Sequence, residues 1–445
     1  DELTKDSTKV DKQQEAINIL AKMNGIERDV NLEKLYLILK PLGVLKKTLQ
    51  DEVGSLLKER TTAQPDWGKK STSENEKTEK QKLSQFPLTD VGNAERFAAM
   101  HNDELRFCPE NGYWYFWTGM KWDYHIGVEK ANQLAILTAR SILDDTRGVI
   151  DKDVRHKILF WSISSENAFR IRNMLSLAEK MEGIVTQLSE FDADPDLLNC
   201  LSGTIDLRTS ELRGHGPNDL LTKMCPSQYI KGAVHPMWEK LQTDITGGNK
   251  EFRLFLQVFA GYGATGRTTE EKLFLVLGPT ASCKSTYLEA LKATLGDYAC
   301  TADFESFLKR SQVGGARNDI ARLHDARFVL SIEVDESAHL AEGLCKTITG
   351  GDTISARFLY KESFQFLPQF KLVLCANHAP RASDRDDALW RRMITIPFDF
   401  SIPVEDRDPD IKATLRNPEI AGPAILDSIV EGARQWYKEG LNVPK

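Results

Sequence analysis

The residues best suited to chemistry are consecutive: Gly278, Pro279, Thr280, Ala281, Ser282, Cys283, Lys284, Ser285 and Thr286. An apolar run, residues 273–277, precedes them. Behind them Tyr287, Leu288, Leu291 and Leu295 fall on one side of a helical period. The run predicts a buried strand and the period an amphipathic helix. Strand, loop and helix in that order form a phosphate-binding loop, whose backbone N–H groups and helix N-terminus attract an anion. In such a loop Lys284 reaches the β- and γ-phosphates and the Ser285 hydroxyl ligates magnesium, so ATP and Mg2+ are the expected cofactors. One position departs from the pattern. Cys283 stands where the motif carries its second glycine, and a side chain there is expected to crowd the phosphates or strain the backbone.

Three further segments supply what an ATPase needs besides the loop. Residues 327–332 predict a second buried strand that runs into Glu333, with Asp335 and Glu336 just beyond. Carboxylates at the tip of a strand beside the loop strand would hold magnesium and orient the attacking water, Glu333 first and the other two in reserve. Residues 371–376 predict a third strand ending in Asn377, whose amide is placed to sense the γ-phosphate. Arg391 and Arg392 follow, before the apolar run 393–398, where they are expected to act in trans on a neighbouring subunit's nucleotide. An acidic loop, an asparagine in a turn or an arginine pair is ordinary taken singly. Their order behind the loop is the specific signal.

These residues need an alternating α/β frame to hold them, and the chain supplies one from Glu251 onward. The 445 residues suggest several domains, and 41% hydrophobic with 28% charged content is that of a globular protein. Residues 1–65 read as helical, with Leu45, Leu49, Val53 and Leu56 on one face, and 66–85 as a polar linker. Residues 86–243 predict a mixed α+β domain opened by an aromatic hairpin between Tyr113 and Trp122. A P-loop domain over 244–400 and a helical extension over 401–445 complete the chain. No apolar run is long enough to span a bilayer, and the seven cysteines show no metal-ligand spacing. A reduced, intracellular compartment is the expected location. A net charge of −7 means that any nucleic-acid contact must be local.

Residues 347–362, from Thr347-Ile348-Thr349-Gly350-Gly351-Asp352 to Lys361-Glu362, resemble the segment between the acid and sensor motifs of superfamily-3 helicases. The version here is similar to the phage and plasmid primase-helicases related to the poxvirus primase-helicase. Residues 88–97, 114–122, 202–209 and Gly261-Tyr262 carry the resemblance upstream, so that it reaches roughly from residue 86 to 440. Ser202, where the family usually has asparagine, and Cys283 depart from it. The resemblance implies an AAA+ motor that works as a hexameric ring on single-stranded or forked DNA during replication of a mobile element. A primase domain or subunit often accompanies that motor; residues 1–85 are too few and too helical to supply its carboxylates. The family's channel hairpin maps onto residues 357–366, with Lys361 near the tip, and Lys361 and Arg357 are the expected DNA contacts. Two other readings are consistent with a P-loop. One is a non-hydrolysing initiator or loader, favoured by Cys283. The other is a phosphotransferase, disfavoured by the Gly-Gly-Asp and Arg-Arg segments.

Overall fold

The computed structural model describes residues 86–308, 318–332, 339–357, 363–379, 387–401, 403, 405 and 408–444. The helices expected in residues 1–65 and the linker over 66–85 lie outside these, as do Glu333, Asp335, Glu336 and Lys361.

The described chain opens with α1 (Asp90–His101), started by Thr89, whose hydroxyl accepts from Gly92 N at 3.0 Å. Strands β1 (Leu105–Cys108), β2 (Tyr113–Trp117) and β3 (Trp122–Asp123) then form an antiparallel sheet, the expected aromatic hairpin among them. Three helices follow, α2 (Gly127–Ser141), α3 (Lys152–Ser165) and α4 (Ala168–Ala178). Asp151 caps α3 and Asn167 caps α4, each through a side chain that accepts first-turn N–H groups. Together α1, α2, α4 and the hairpin enclose one core around Phe97, Trp114, Ala135 and Met174.

A second antiparallel sheet, β4 (Leu197–Cys200), β5 (Gly203–Asp206) and β6 (Glu211–Arg213), leads to α5 (Pro236–Thr246) and α6 (Lys250–Ala264). Ser202, in the turn between β4 and β5, accepts from Tyr229 N at 3.0 Å and so fastens that turn to the segment before α5. Pro236 starts α5, Gly247 ends it in the left-handed region, and Asn249 caps α6, so the Gly-Gly-Asn turn is built from helix punctuation.

Five further strands are β7 (Leu273–Leu277), β8 (Ala299–Thr301), β9 (Phe328–Ile332), β12 (Lys371–Ala376) and β13 (Met393–Pro397). They form one five-stranded sheet in the order β13-β7-β12-β9-β8, every neighbouring pair parallel. Residues alternate between its faces. Phe274, Val276, Phe328, Leu330 and Val373 face one core, and Leu273, Leu275, Val329, Leu372 and Leu374 face the other. This is why the strands read as unbroken apolar runs. Helices α7 (Lys284–Leu295) and α8 (Glu342–Thr349) follow β7 and β9. A two-stranded hairpin, β10 (Ile354–Arg357) with β11 (Ser363–Phe366), pairs Arg357 with Ser363 at the end where the two strands connect and Ile354 with Phe366 at its open end. Helices α9 (Asp387–Arg392) and α10 (Gly422–Glu439) complete the set used below.

Two features hold this frame together. Helix α10 crosses α6 backbone against backbone: a Cβ on Gly432 would sit 1.9 Å from Gln257 O, and one on Gly261 would sit 1.9 Å from Ala433 N. Leu198, Trp238, Phe259, Phe274, Leu291 and Ile429 share one core, which therefore runs from β4 through the sheet to α10. The second feature is a pair of buried cations. Arg327, just before β9, donates to Leu197 O at 2.7 Å, Ala264 O at 3.2 Å and Asp194 O at 3.2 Å. Lys371, at the head of β12, donates to Thr265 O and, at 3.3 Å each, to Arg267 O and Gln369 O. Burial and the neighbouring Arg327 hold the Lys371 ammonium well below the usual lysine range. Both cations bind carbonyls at the C-terminal end of α6, where the helix dipole favours positive charge.

Candidate nucleotide site

The loop leaves the C-terminal end of β7 and enters α7. Gly278 is required at its start, because a Cβ there would lie 2.2 Å from Phe398 O, where the chain leaving β13 crosses the loop. Phe398 N donates to Leu277 O at 2.6 Å and closes this contact. Ser282 donates to Pro279 O at 2.9 Å and is buried beneath the loop. Cys283 stands at the N-cap of α7 with φ of 61° and ψ of 13°, and no side chain caps the helix there. First-turn N–H groups without a side-chain cap suit a phosphate anion.

Lys284 turns its side chain into the loop. Its Nζ donates to Gly278 O at 2.6 Å, Pro279 O at 2.8 Å, Ser282 Oγ at 3.2 Å and Asn377 Oδ1 at 3.2 Å. Burial lowers its pKa below the ordinary lysine value. A group so desolvated gains most from an anionic partner. The last contact joins two residues 93 positions apart. It exists because β12 pairs with β7 in parallel with Ala376 opposite Leu277, which brings Asn377 level with the start of the loop. Ser285 lies in hydrogen-bond contact with the buried Cys375 thiol, one strand residue before Ala376; burial raises that thiol's pKa, opposed by Lys284 and by the Ser285 bond. Thr280 and Pro279 are exposed at the mouth of the loop, whereas Thr286 is buried in α7.

One expectation about the frame is corrected. The strand leading to Glu333 does not lie beside the loop strand: β12 is between them, so the order is loop strand, asparagine strand, acid strand. Asn377, not the acid segment, is the immediate neighbour of the loop. The arginines stand elsewhere. Met393 pairs with Leu273, so Arg391 and Arg392 lie at the N-terminal edge of the sheet, opposite the loop. Five strand residues separate the two edges, roughly 16 Å at ~3.3 Å per residue. Arg392 binds Glu271 at 3.0 Å, and the Arg391 carbonyl accepts from Lys272 at 2.6 Å. Arg357 is exposed at the connected end of the β10–β11 hairpin, and Phe364 and Phe366 of β11 pack edge-on against His324. Among the described residues no cluster of three or more His, Cys, Asp or Glu could hold a metal ion, and no helix is long and apolar enough to cross a membrane.

Sequence reasoning missed Arg327 and Lys371. The available signal was a basic residue at the head of an otherwise apolar strand, which is costly to bury unless carbonyls meet it.

Cys283 can be tested directly. It and Ala281, at φ of 67°, both occupy the left-handed region within one loop. An L-residue there costs roughly 1–2 kcal/mol relative to its favoured conformation. Because the loop already holds this conformation, the penalty falls on folding more than on binding. Cys283→Gly should raise unfolding free energy by about 1 kcal/mol and remove Sγ from the path of the phosphates. Denaturant melts and ATP titrations of the two proteins check this. Identical midpoints and identical affinities would mean that the loop accepts cysteine without strain.

Residues 94–247 match the family described as D5 N terminal like, which covers the two antiparallel sheets and the helices ahead of α6. The chain is 27% identical over 321 residues to the protein named "Putative helicase L207/L206" of Acanthamoeba polyphaga mimivirus, covering 65% of this chain and 32% of that protein. It is 28% identical over 218 residues to "Putative helicase 022R" of Frog virus 3, covering 46% of this chain and 20% of that one. The chain thus spans about a third or less of the length of these relatives. Among solved structures, the apo NrS-1 C terminal region (305-718) aligns with a TM-score of 0.45 at 11% identity, over 76% of this chain and 68% of that one.

Proposed function

We propose that this chain is the ATP-driven motor of a replicative DNA helicase, an AAA+ ATPase of superfamily 3 that translocates on single-stranded DNA. The observation that carries the reading is the meeting of Lys284 and Asn377, 3.2 Å apart at the C-terminal edge of an all-parallel sheet, at a loop that opens a helix. That edge, outside the carboxyl ends of the strands, is where open α/β sheets bind ligands. The relatives named as helicases support the same reading.

In this account the loop N–H groups and Lys284 hold the triphosphate, and Lys284 exchanges its loop carbonyls for phosphate oxygens. Asn377 orients water near the γ-phosphate, and Glu333 acts as the base. Mg2+ held by Ser285 and Glu333 would neutralise developing charge on the phosphates. Arg391 and Arg392, at the far edge of the sheet, are too distant for their own loop and serve a neighbour's nucleotide across a ring, a hexamer by the family resemblance. Lys361 and Arg357 of six such hairpins would line a basic channel for single-stranded or forked DNA. A primase domain or subunit is the proposed companion, and the cytoplasm of a bacterial or virus-infected cell the proposed setting. Stimulation of ATP hydrolysis by single-stranded DNA tests the proposal.

A second reading has one observation in its favour. Cys283, a residue with a side chain, holds the left-handed conformation at the N-cap of α7, where a side chain would crowd bound phosphates, and this suits an initiator or loader that binds nucleotide to assemble and does not turn it over. ATP binding with ring assembly but no phosphate release would select it.

A further inference from the structure

We propose that the outer face of α3 and the start of α4 form a binding surface for single-stranded nucleic acid, separate from the nucleotide site and the β10–β11 hairpin. Helix α3 buries only Ile158, Ser162 and Ser165. On the opposite side Phe160 is 74% exposed and Ile163 65%, and Phe169 at the start of α4 is 61% exposed. A helix that belongs to a core turns such side chains inward, so an outward stripe of this kind marks a contact surface. Ile163, Phe169 and Arg170 line a shallow cleft of about 580 Å³ there.

The charge of the surface selects the partner. Residues 147–172 carry six Lys and Arg against three Asp and Glu, a net of +3 in a chain whose total is −7. Two of the three carboxylates are engaged within the protein: Asp151 accepts the first-turn N–H groups of α3, and Glu166 pairs with Arg140 at 3.1 Å. Lys152 and Lys157 are exposed on α3. Arg170 already stacks its guanidinium 3.9 Å over the Trp161 ring. Exposed phenyl rings interleaved with cations fit a flexible polyanion whose bases stack, because a base offers a π-face and its phosphates meet the lysines. An uncharged apolar partner would leave the exposed Lys152 and Lys157 without a role. The inference does not depend on ATP hydrolysis and is expected to survive in the Lys284→Ala chain.

The test uses the full chain, without nucleotide, and fluorescein-labelled 20-mers of oligo-dT and oligo-U. Anisotropy titrations at several salt concentrations give affinity and salt slope. Phe160→Ala with Phe169→Ala should weaken binding on the order of tenfold or more. Lys152→Ala with Lys157→Ala should weaken it and flatten the salt slope by up to about two. All four residues are exposed, so thermal melts should be unchanged and loss of fold is separable from loss of binding. Crosslinking of 5-iodouridine-substituted oligonucleotide should label residues 152–172. Preference for oligo-dT or oligo-U then names the natural strand. Unchanged affinity, unchanged slope and no label in that segment would overturn the proposal. So would variants that alter the sedimenting mass and leave oligonucleotide affinity intact, since the face would then join copies of the chain or another protein.

Discussion

Lys284→Ala is expected to reduce ATP turnover to background, a loss on the order of 10²–10³-fold or more for removing a group that stabilises transferring phosphoryl charge. The structure explains why no neighbour replaces it. Lys284 lies at the centre of the loop, bound to Gly278 O, Pro279 O and Asn377 Oδ1, and its ammonium is already partly stripped of water. Alanine removes that cation and leaves two loop carbonyls without their donor. The stability cost should stay near 1–3 kcal/mol, the range for losing one partner of buried hydrogen bonds. A melt therefore separates a dead site from an unfolded one. Lys284→Arg keeps the charge but cannot place a single ammonium between Gly278 and Asn377, so it should recover little. Phosphate release by Lys284→Ala above a tenth of the wild-type rate would remove the loop from the mechanism.

Gly432→Leu is expected to unfold the region around the 278–286 loop, with a loss of about 3 kcal/mol or more, beyond ordinary overpacking of a core. At this position even a Cβ meets Gln257 O at 1.9 Å, and the obstacle is helix backbone, which cannot rotate away as a side chain can. The two helices must separate, and α10 would withdraw Ile425, Leu426, Ile429 and Val430 from the core that also seats Leu288 and Leu291 of α7. Nucleotide binding should fail together with the fold. Gly432→Ala should lie between wild type and leucine. Urea unfolding of the three proteins gives the order, and equal midpoints would show that α6 and α10 do not cross as closely as described.

How much of this could be read from the sequence depends on whether a feature is local. The loop, α7 and the strand ending at Asn377 were legible because each is carried by a short apolar or periodic run with a polar residue at its end. The proximity of Asn377 to Lys284 was implied by motif order, but the strand order was not. Nothing in residues 327–377 says that β12 enters between β7 and β9, since chain order does not fix spatial order in a parallel sheet. The roles of Arg327 and Lys371 were hidden for a similar reason. Their partners are carbonyls, which every residue possesses, contributed from 63 to 133 positions away by Ala264, Leu197 and Asp194 in the case of Arg327. The pairing of Gly261 with Gly432 is likewise invisible until the helices cross. Residues 401–445 were read as a helical extension. Among their described residues α10 spans Gly422–Glu439, and its buried side lies in the same core as Phe274 and Val276.

The central claim is that nucleotide turnover at the 278–286 loop is coupled to single-stranded DNA, and one measurement addresses it. Steady-state phosphate release by the full chain is followed with Mg-ATP, with and without a single-stranded oligonucleotide, beside Lys284→Ala as the zero. The account predicts measurable release that rises severalfold with DNA and vanishes in the Lys284 variant. Release that is indifferent to DNA, or that persists without Lys284, would contradict it.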